Sequence, residues 1–269
     1  MKPSFLSGEI FGLAGVAYAQ PEMAPQAHEI AQELGLSRVL GADAIEEPGQ
    51  DWALWLVVEP QRLLLRPMGS KAPGPVTLDF LQKDRLYRFQ NAQHERKQPL
   101  GKAIGISKGT PRVLDATAGL GGDTQMFLAW GCQVTAIERS PVLVALWKKA
   151  LSQVQGHPVL QKPFEGLEFR ATDAIEHLAS APNPFDVVYL DPMYPQRKRA
   201  SVAVKKEMQV FRHLVGNDED ASELLALGLK HARQRVVVKR PKHAPVLGDR
   251  EPNFQVKGTV VRFDVYLSG

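Results

Sequence analysis

The sequence predicts an α/β fold: an open, mostly parallel sheet preceded by a small α/β domain. Three observations predict it. The stretch Arg112-Val-Leu-Asp-Ala-Thr-Ala-Gly-Leu-Gly-Gly-Asp123 reads as strand, tight glycine turn and helix entry. From Arg112 onward, short apolar runs alternate with amphipathic stretches, the pattern of strands joined by crossover helices. The first 84 residues instead hold brief strands, one helix and a loop rich in Gly and Pro, with no catalytic signature. The domain boundary is therefore placed at residue 84, with residues 1–84 as an accessory domain and 85–269 as the main one.

Taken in order, Pro25 to Leu34 reads as a helix closed by Gly35. Trp52–Val58 and Arg62–Arg66, separated by Glu59-Pro-Gln61, read as a hairpin, and Val76–Leu81 as a third strand by alternation. Residues 83–109 are polar and basic and read as a connector, in which His94 is a solvated residue. Strands are expected at 112–117, 133–138, 167–171, 185–190 and 233–242, with a closing antiparallel pair at 253–256 and 260–267. Helices follow at 123–130 and after Ser140-Pro141, an N-cap followed by proline at the first helical position.

Composition narrows the function classes. The chain has 269 residues, of which 44% are apolar and 23% charged, ordinary values for a globular protein. No apolar run is long enough to span a bilayer, and the first residues lack the pattern of a secretion signal, so a cytoplasmic protein is expected. The single cysteine, Cys132, cannot form an internal disulfide and reads as a small buried apolar residue. Residues 1–84 carry a net charge of −5 and residues 85–269 one of +9, which favours a polyanionic substrate for the second part.

The glycine turn indicates the ligand. Gly119, Gly121 and Gly122 let the backbone turn sharply and let a ligand come close. The loop lacks the Lys-Ser/Thr of a phosphate cradle and the spacing of a dinucleotide fingerprint. Asp115, at the strand end, suits a cationic group. Glu138, about twenty residues after the loop at the next strand end, is positioned for ribose hydroxyls. Together they describe S-adenosylmethionine. Asp173 and Ala174 follow the third strand of the sheet, where the Asp can accept from an adenine amine and the Ala N–H can donate to the ring; Asp173 equally suits an N-cap.

The fourth strand ends in Asp191-Pro-Met-Tyr194, beside the crevice of an open α/β sheet. An exocyclic amine on a base is a poor nucleophile because its lone pair is delocalised. A carboxylate and a main-chain carbonyl accepting its two N–H groups would free that pair. Pro192 fixes the backbone so that the acceptors converge, Met193 leaves the carbonyl in place, and Tyr194 offers a face for an extruded base. Arg197, Lys198, Arg199, Lys205 and Lys206 follow without an intervening acid, and Lys239 and Arg240 end the fifth strand at the same edge; these are the candidate contacts to a nucleic-acid phosphate backbone. No cluster with metal-ligand spacing appears.

The segments at 115–123, 137–139, 187–195, 204–208 and 236–241, taken together, resemble the bacterial small-subunit ribosomal RNA guanine-N2 methyltransferases of the J type over about residues 90–269. The resemblance implies a Rossmann-like class I S-adenosylmethionine-dependent fold and a guanine of 16S rRNA, free or in the small ribosomal subunit, as acceptor. It also implies cofactor contacts from Gly122, Asp123, Glu138, Arg139, Asp173, Ala174 and Asp191. Amino-methyltransferases at large prefer Pro where this chain has Met193. Other readings are an amino-methyltransferase of DNA or protein glutamine, and a non-catalytic RNA-binding module. A nicotinamide-dependent dehydrogenase lacks both its glycine spacing and an acid/base pair.

Overall fold

In the computed structural model, residues 12–45, 53–70, 72–180, 185–193, 210, 214, 220–248 and 250–268 are described. The chain divides into two units, Met1–Leu78 with Gln196–Gly216, and Asp79–Pro195 with Asn217–Gly269.

The first unit contains a four-stranded sheet in the order β2-β1-β3-β4. Its strands are β1 (Leu13–Tyr18), β2 (Val39–Gly41), β3 (Ala53–Val58) and β4 (Leu63–Met68), with helix α1 (Ala24–Glu33) between β1 and β2. The expected hairpin is β3–β4. Strand β1 pairs in parallel with both β2 and β3, and neither β1 nor β2 was expected. Gly15 explains part of this: a Cβ there would lie 2.6 Å from the Arg38 carbonyl oxygen, so close strand approach demands the residue that weakens the strand signal. Ala17, Trp55, Val57 and Leu64 form the local core.

The expected strand Val76–Leu81 is corrected to a single bridge between Val76 and Leu65. The extended run ends where the Asp79 carboxylate accepts from the Leu81 N–H at 2.8 Å, a side-chain turn that competes with strand pairing.

The expected connector at 83–109 is also corrected, because it is helical: α2 (Lys83–Gln90), α3 (Ala92–Glu95) and α4 (Pro99–Ile104), then a 3-10 turn, Ile106–Lys108. Pro99 opens α4 and Gly105, at φ 79°, closes it. The charged residues that suggested a linker tie these helices to the rest of the second unit. Arg85 Nη1 donates to the Leu120 carbonyl at 2.9 Å and Arg96 Nη2 to the Trp130 carbonyl at 3.0 Å. Trp130 Nε1 returns a bond to the Ala92 carbonyl at 2.7 Å.

The second unit is built on seven strands: β5 (Arg112–Asp115), β6 (Gln133–Glu138), β7 (Leu167–Ala171), β8 (Phe185–Leu190), β9 (Ala232–Pro241), β10 (Phe254–Lys257) and β11 (Val261–Leu267). Their order is β10-β11-β9-β8-β5-β6-β7. Strands β7, β6, β5, β8 and β9 run parallel, while β11 is antiparallel to both β9 and β10. The crossovers carry α5 (Gly122–Ala129), α6 (Pro141–Val154), α7 (Gln161–Phe164), α8 (Ala174–Ser180) and α9 (Ala221–His231). Ser140 caps α6 as its sequence predicts, accepting from the Leu143 N–H. Strand order reverses at β5, whose neighbours are β6 on one side and β8 on the other. This switch point opens a crevice at the carboxyl ends of the strands.

The core runs through Leu114, Ile137, Leu178, Val188, Leu190, Leu225, Val236 and Tyr266. In β8, Val187 through Leu190 are all fully buried, each apolar side chain contributing roughly 1.5–3 kcal/mol on leaving water. Cys132 is buried too, and burial pushes its thiol up to about 12. Among the described residues, no helix is long and apolar enough to cross a membrane.

Candidate active site

The glycine loop between β5 and α5 is held from four directions. The Gly119 N–H donates to Glu138 Oε2 at 3.0 Å, and the Gly119 carbonyl accepts from Trp147 Nε1 at 2.8 Å. The Ala118 N–H reaches the Ile137 carbonyl at 3.0 Å, and Arg85 caps the Leu120 carbonyl. Trp147 in turn stacks on Phe169 at 4.6 Å between centroids and meets Phe80 edge-on at 5.2 Å, so its indole is fixed before it donates.

Glycine is required at 121 for two reasons. Its φ is 69°, and a Cβ would fall 2.8 Å from the Trp147 ring. Gly122 differs: the nearest atom to a Cβ there, Arg85 Nη2, is 4.0 Å away, so the helix entry faces open space.

Glu138 at the end of β6 latches this loop. Its Oε2 takes the Gly119 N–H and its Oε1 takes the Ser140 N–H at 2.7 Å. Each carboxylate oxygen has two lone pairs, so these bonds leave acceptor capacity for hydroxyl groups. Asp115 is 1% exposed, and its oxygens accept from the Thr124 hydroxyl and the Thr117 N–H. Burial pushes its pKa up to about 7, against the Thr124 hydrogen bond that lowers it. Asp115 thus braces the loop from below rather than facing the crevice.

At the end of β7, Asp173 Oδ1 accepts from the Ile175 N–H at 2.8 Å and so caps α8. Arg139 ties Asp173 to Asp220 at the start of α9, with contacts of 3.4 and 2.5 Å. Ala174 is buried beside them.

The β8 end is organised around a lysine. Lys239 Nζ donates to Asp123 Oδ2 and to Asp191 Oδ2, both at 2.8 Å. Asp123 Oδ2 also accepts from the Tyr189 hydroxyl at 2.6 Å, and the Asp191 N–H donates to Thr117 Oγ1 at 2.6 Å. Burial alone would raise the Asp123 carboxyl, but the Lys239 ammonium and the Tyr189 hydroxyl outweigh it and hold the group below the usual range. Burial is also the largest influence on Lys239 and lowers it, yet the two carboxylates prevail and raise it. Tyr189 is pushed well above its ordinary value, by burial first and then by Asp123, Asp191 and Asp115. The side chain of Asp191 remains 40% exposed, that of Lys239 25% and that of Asp123 24%.

The structure therefore brings together Gly119, Gly121, Gly122, Asp123, Glu138 and Asp191, with buried Pro192 and half-buried Met193 continuing from Asp191. It redirects two residues expected at the RNA face. Lys239 is engaged by carboxylates. Arg240 is 2% exposed, and both Nε and Nη2 donate to the Pro245 carbonyl. Arg262, paired with Asp264, likewise donates to the carbonyls of Pro241, Lys242 and Ala244, so buried guanidinium groups hold the loop after β9. Tyr194, Arg197, Lys198, Arg199, Lys205 and Lys206 lie outside the described residues. Thr117, Thr124, Trp147 and Tyr189 escaped the sequence reading. Hydroxyls directly after Asp115 and in the first turn of α5 were the available signal.

These residues fit S-adenosylmethionine. A Cβ-free turn leads to an open helix entry at Gly122, a latched carboxylate ends β6, and a partly exposed one ends β8 at the switch point. Among the described residues, no group of three or more His, Cys, Asp or Glu could hold a metal ion.

Known proteins agree with this geometry. A family model described as "Putative SAM-dependent methyltransferase" matches residues 43–268. The chain is 41% identical over 256 residues to a ribosomal RNA small subunit methyltransferase J from Cellvibrio japonicus, covering 91% of this chain and 94% of that protein. It is 40% identical over 258 residues to the protein of that name from Thioalkalivibrio sulfidiphilus, covering 94% and 97%. A crystal structure of a SAM-dependent methyltransferase from Neisseria gonorrhoeae superposes with a TM-score of 0.66 at 27% identity, covering 95% of this chain and 96% of that one. The similarity thus reaches well into the N-terminal unit, beyond residues 90–269.

Proposed function

We propose the reaction from one premise: the chain belongs to the ribosomal RNA small subunit methyltransferase J family of S-adenosylmethionine-dependent methyltransferases. It transfers a methyl group from S-adenosylmethionine to the exocyclic N2 of a guanine in ribosomal RNA, and the acceptor is the 16S molecule, free or within the small subunit. The observation that carries this reading is the partly exposed Asp191 carboxylate at the end of β8, held beside the glycine loop by Lys239 and Thr117.

When bound, the cofactor would supply an electrophilic methyl group on a sulfonium that leaves as a neutral thioether, and the proton that N2 gives up in exchange for the methyl group would pass to solvent. The chain's own residues do the positioning. The loop at 119–122 and Asp123 cradle the amino-acid end, Glu138 accepts from the ribose hydroxyls, and Arg139, Asp173 and Ala174 border the adenine. Asp115 supports the loop from beneath. The Asp191 carboxylate and the Pro192 carbonyl accept the two N–H groups of the target amine, which draws its lone pair out of conjugation and aims it. Met193 leaves that carbonyl acceptor intact but loosens the turn, and Tyr194 stacks on the extruded base. Arg197, Lys198, Arg199, Lys205 and Lys206 meet the phosphate backbone, and residues 1–84 serve as an accessory domain.

The test is transfer of labelled methyl from S-adenosylmethionine to unmodified 16S rRNA and to assembled small subunits, followed by nucleoside analysis. N2-methylguanosine at one position is expected. Label in another nucleoside, or in neither RNA, overturns the assigned acceptor.

A further inference from the structure

Lys239 is an unusual residue to end a strand such as β9. The three residues before it, Val236, Val237 and Val238, are fully buried, and its own side chain is three-quarters withdrawn from solvent. Strand-end lysines that bind phosphate project into water. This one donates instead to two carboxylates at equal 2.8 Å distances, from α5 and from the β8 end. We propose that Lys239 is a positioning residue for methyl transfer rather than an RNA contact: by clamping Asp123 and Asp191 it keeps Asp191 an acceptor-only group with a fixed direction. The proposal rests on the role given to Asp191 above.

Three features carry it. First, Asp191 is held at both ends, its N–H by Thr117 Oγ1 and its carboxylate by Lys239, so neither the backbone nor the side chain is left to choose its direction. Second, the clamp is itself anchored, since Asp123 Oδ2 takes the Tyr189 hydroxyl as well as the ammonium. Third, the charge balance needs it. The Asp123 and Asp191 carboxylates converge on one ammonium, both press on the buried Asp115 carboxyl, and Tyr189 is neutral. Arg85 and Arg88 on α2 act on Asp123, and the Lys239 ammonium is bonded to Asp191 Oδ2. Without it the acids would relieve their repulsion by taking up a proton. A protonated carboxyl is a donor at one oxygen and can no longer present acceptors to both N–H groups of an amine. An ion-paired carboxylate is also a weaker base, which suits a group whose task is to orient the amine during transfer rather than to deprotonate it beforehand.

The test compares the full chain with K239M, K239R, D191A and the double variant K239M/D123N. Methyl transfer to unmodified 16S rRNA is followed across the acidic and neutral range, together with RNA affinity at several salt concentrations and thermal melting. K239M is expected to lower kcat by roughly 10- to 100-fold and to move the acidic limb of the kcat profile to higher pH. RNA affinity and its salt dependence should stay unchanged, and K239R should recover much of the rate. Full activity in K239M, with D191A inactive, overturns the proposal alone. So does a loss confined to RNA affinity with a salt slope shallower by about one, the signature of a phosphate contact. Full activity in D191A overturns the role of Asp191 and the proposal with it. If K239M melts too early to assay, K239M/D123N relieves the carboxylate repulsion and is compared with D123N alone at saturating cofactor: a folded double variant slower than D123N with intact RNA affinity supports the clamp, and one at the D123N rate overturns it.

Discussion

The two halves of the crevice use the same residue type in opposite ways. On the β5–β6 side, Asp115 and Glu138 are almost fully buried, and their oxygens accept from backbone N–H groups and a threonine hydroxyl. On the β8–β9 side, Asp123 and Asp191 are partly exposed and meet a lysine and a tyrosine. The first half is architecture: its acids fix a loop whose shape then presents backbone to a ligand. The second half is where the proposed chemistry lies: its acids share one lysine ammonium held between them and stay partly open to solvent. An acid at the end of a parallel strand therefore has no role by position alone. Its partners and exposure decide whether it braces or reacts.

The largest expected effect tests the chemical half. Asp191→Ala removes the carboxylate acceptor and should lower kcat by about 10³-fold or more while leaving the melting temperature and cofactor affinity near wild type. Cofactor affinity lost in parallel would move Asp191 into the bracing half. Next comes the bracing acid itself. Burial pushes the Asp115 carboxyl up to about 7 in the folded chain, from an ordinary value of 3.8. A raised carboxyl binds its proton more tightly in the folded state, so its contribution is favourable at low pH and is lost as pH rises between those values. Asp115→Asn should therefore gain on wild type across that window, by at most about 4 kcal/mol in unfolding free energy. Parallel stability curves from pH 4 to 7 would show that Asp115 is not destabilised by burial.

Glu138→Ala sits where bracing and binding meet. It should weaken cofactor affinity by roughly 10- to 100-fold with a smaller change in kcat at saturation, and calorimetric titration would show an unchanged constant if the latch were dispensable. The smallest effect contrasts two adjacent glycines. Gly121→Ala forces a Cβ against Trp147 at positive φ and should cost about 1–3 kcal/mol in stability, whereas Gly122→Ala, with open space at its Cβ, should stay within about 0.5 kcal/mol. Equal melting temperatures would remove the loop from the rigid half.

Much of this was legible in the sequence where local rules and tertiary fate agree. The alternation from Arg112 to His231, the Ser140-Pro141 helix start and the acids ending β5, β6 and β8 all declare themselves, because each depends on periodicity or on a short motif. Most of the misses share one cause, a partner distant in sequence, whereas the strand expected at Val76–Leu81 was cut short by the local Asp79 turn. Residues 83–109 read as a linker because their charges look solvated, yet Arg85 and Arg96 serve carbonyls 35 and 34 residues away. Lys239 reads as a phosphate contact until Asp123, 116 residues earlier, is found beside it. Arg240 and Arg262 neutralise carbonyls of a loop that no periodicity marks. Strand β1 was hidden by its own small residues, which the neighbouring chain requires.

Cys132 has a practical consequence. It is the single thiol of the chain, 2% exposed, with its ionisation pushed up to about 12. At neutral pH such a group is almost entirely in its unreactive form and out of reach of alkylating reagents. The native protein is therefore a silent background: a cysteine introduced at one surface position will take a fluorophore, spin label or crosslinker there and nowhere else, without first deleting the natural one.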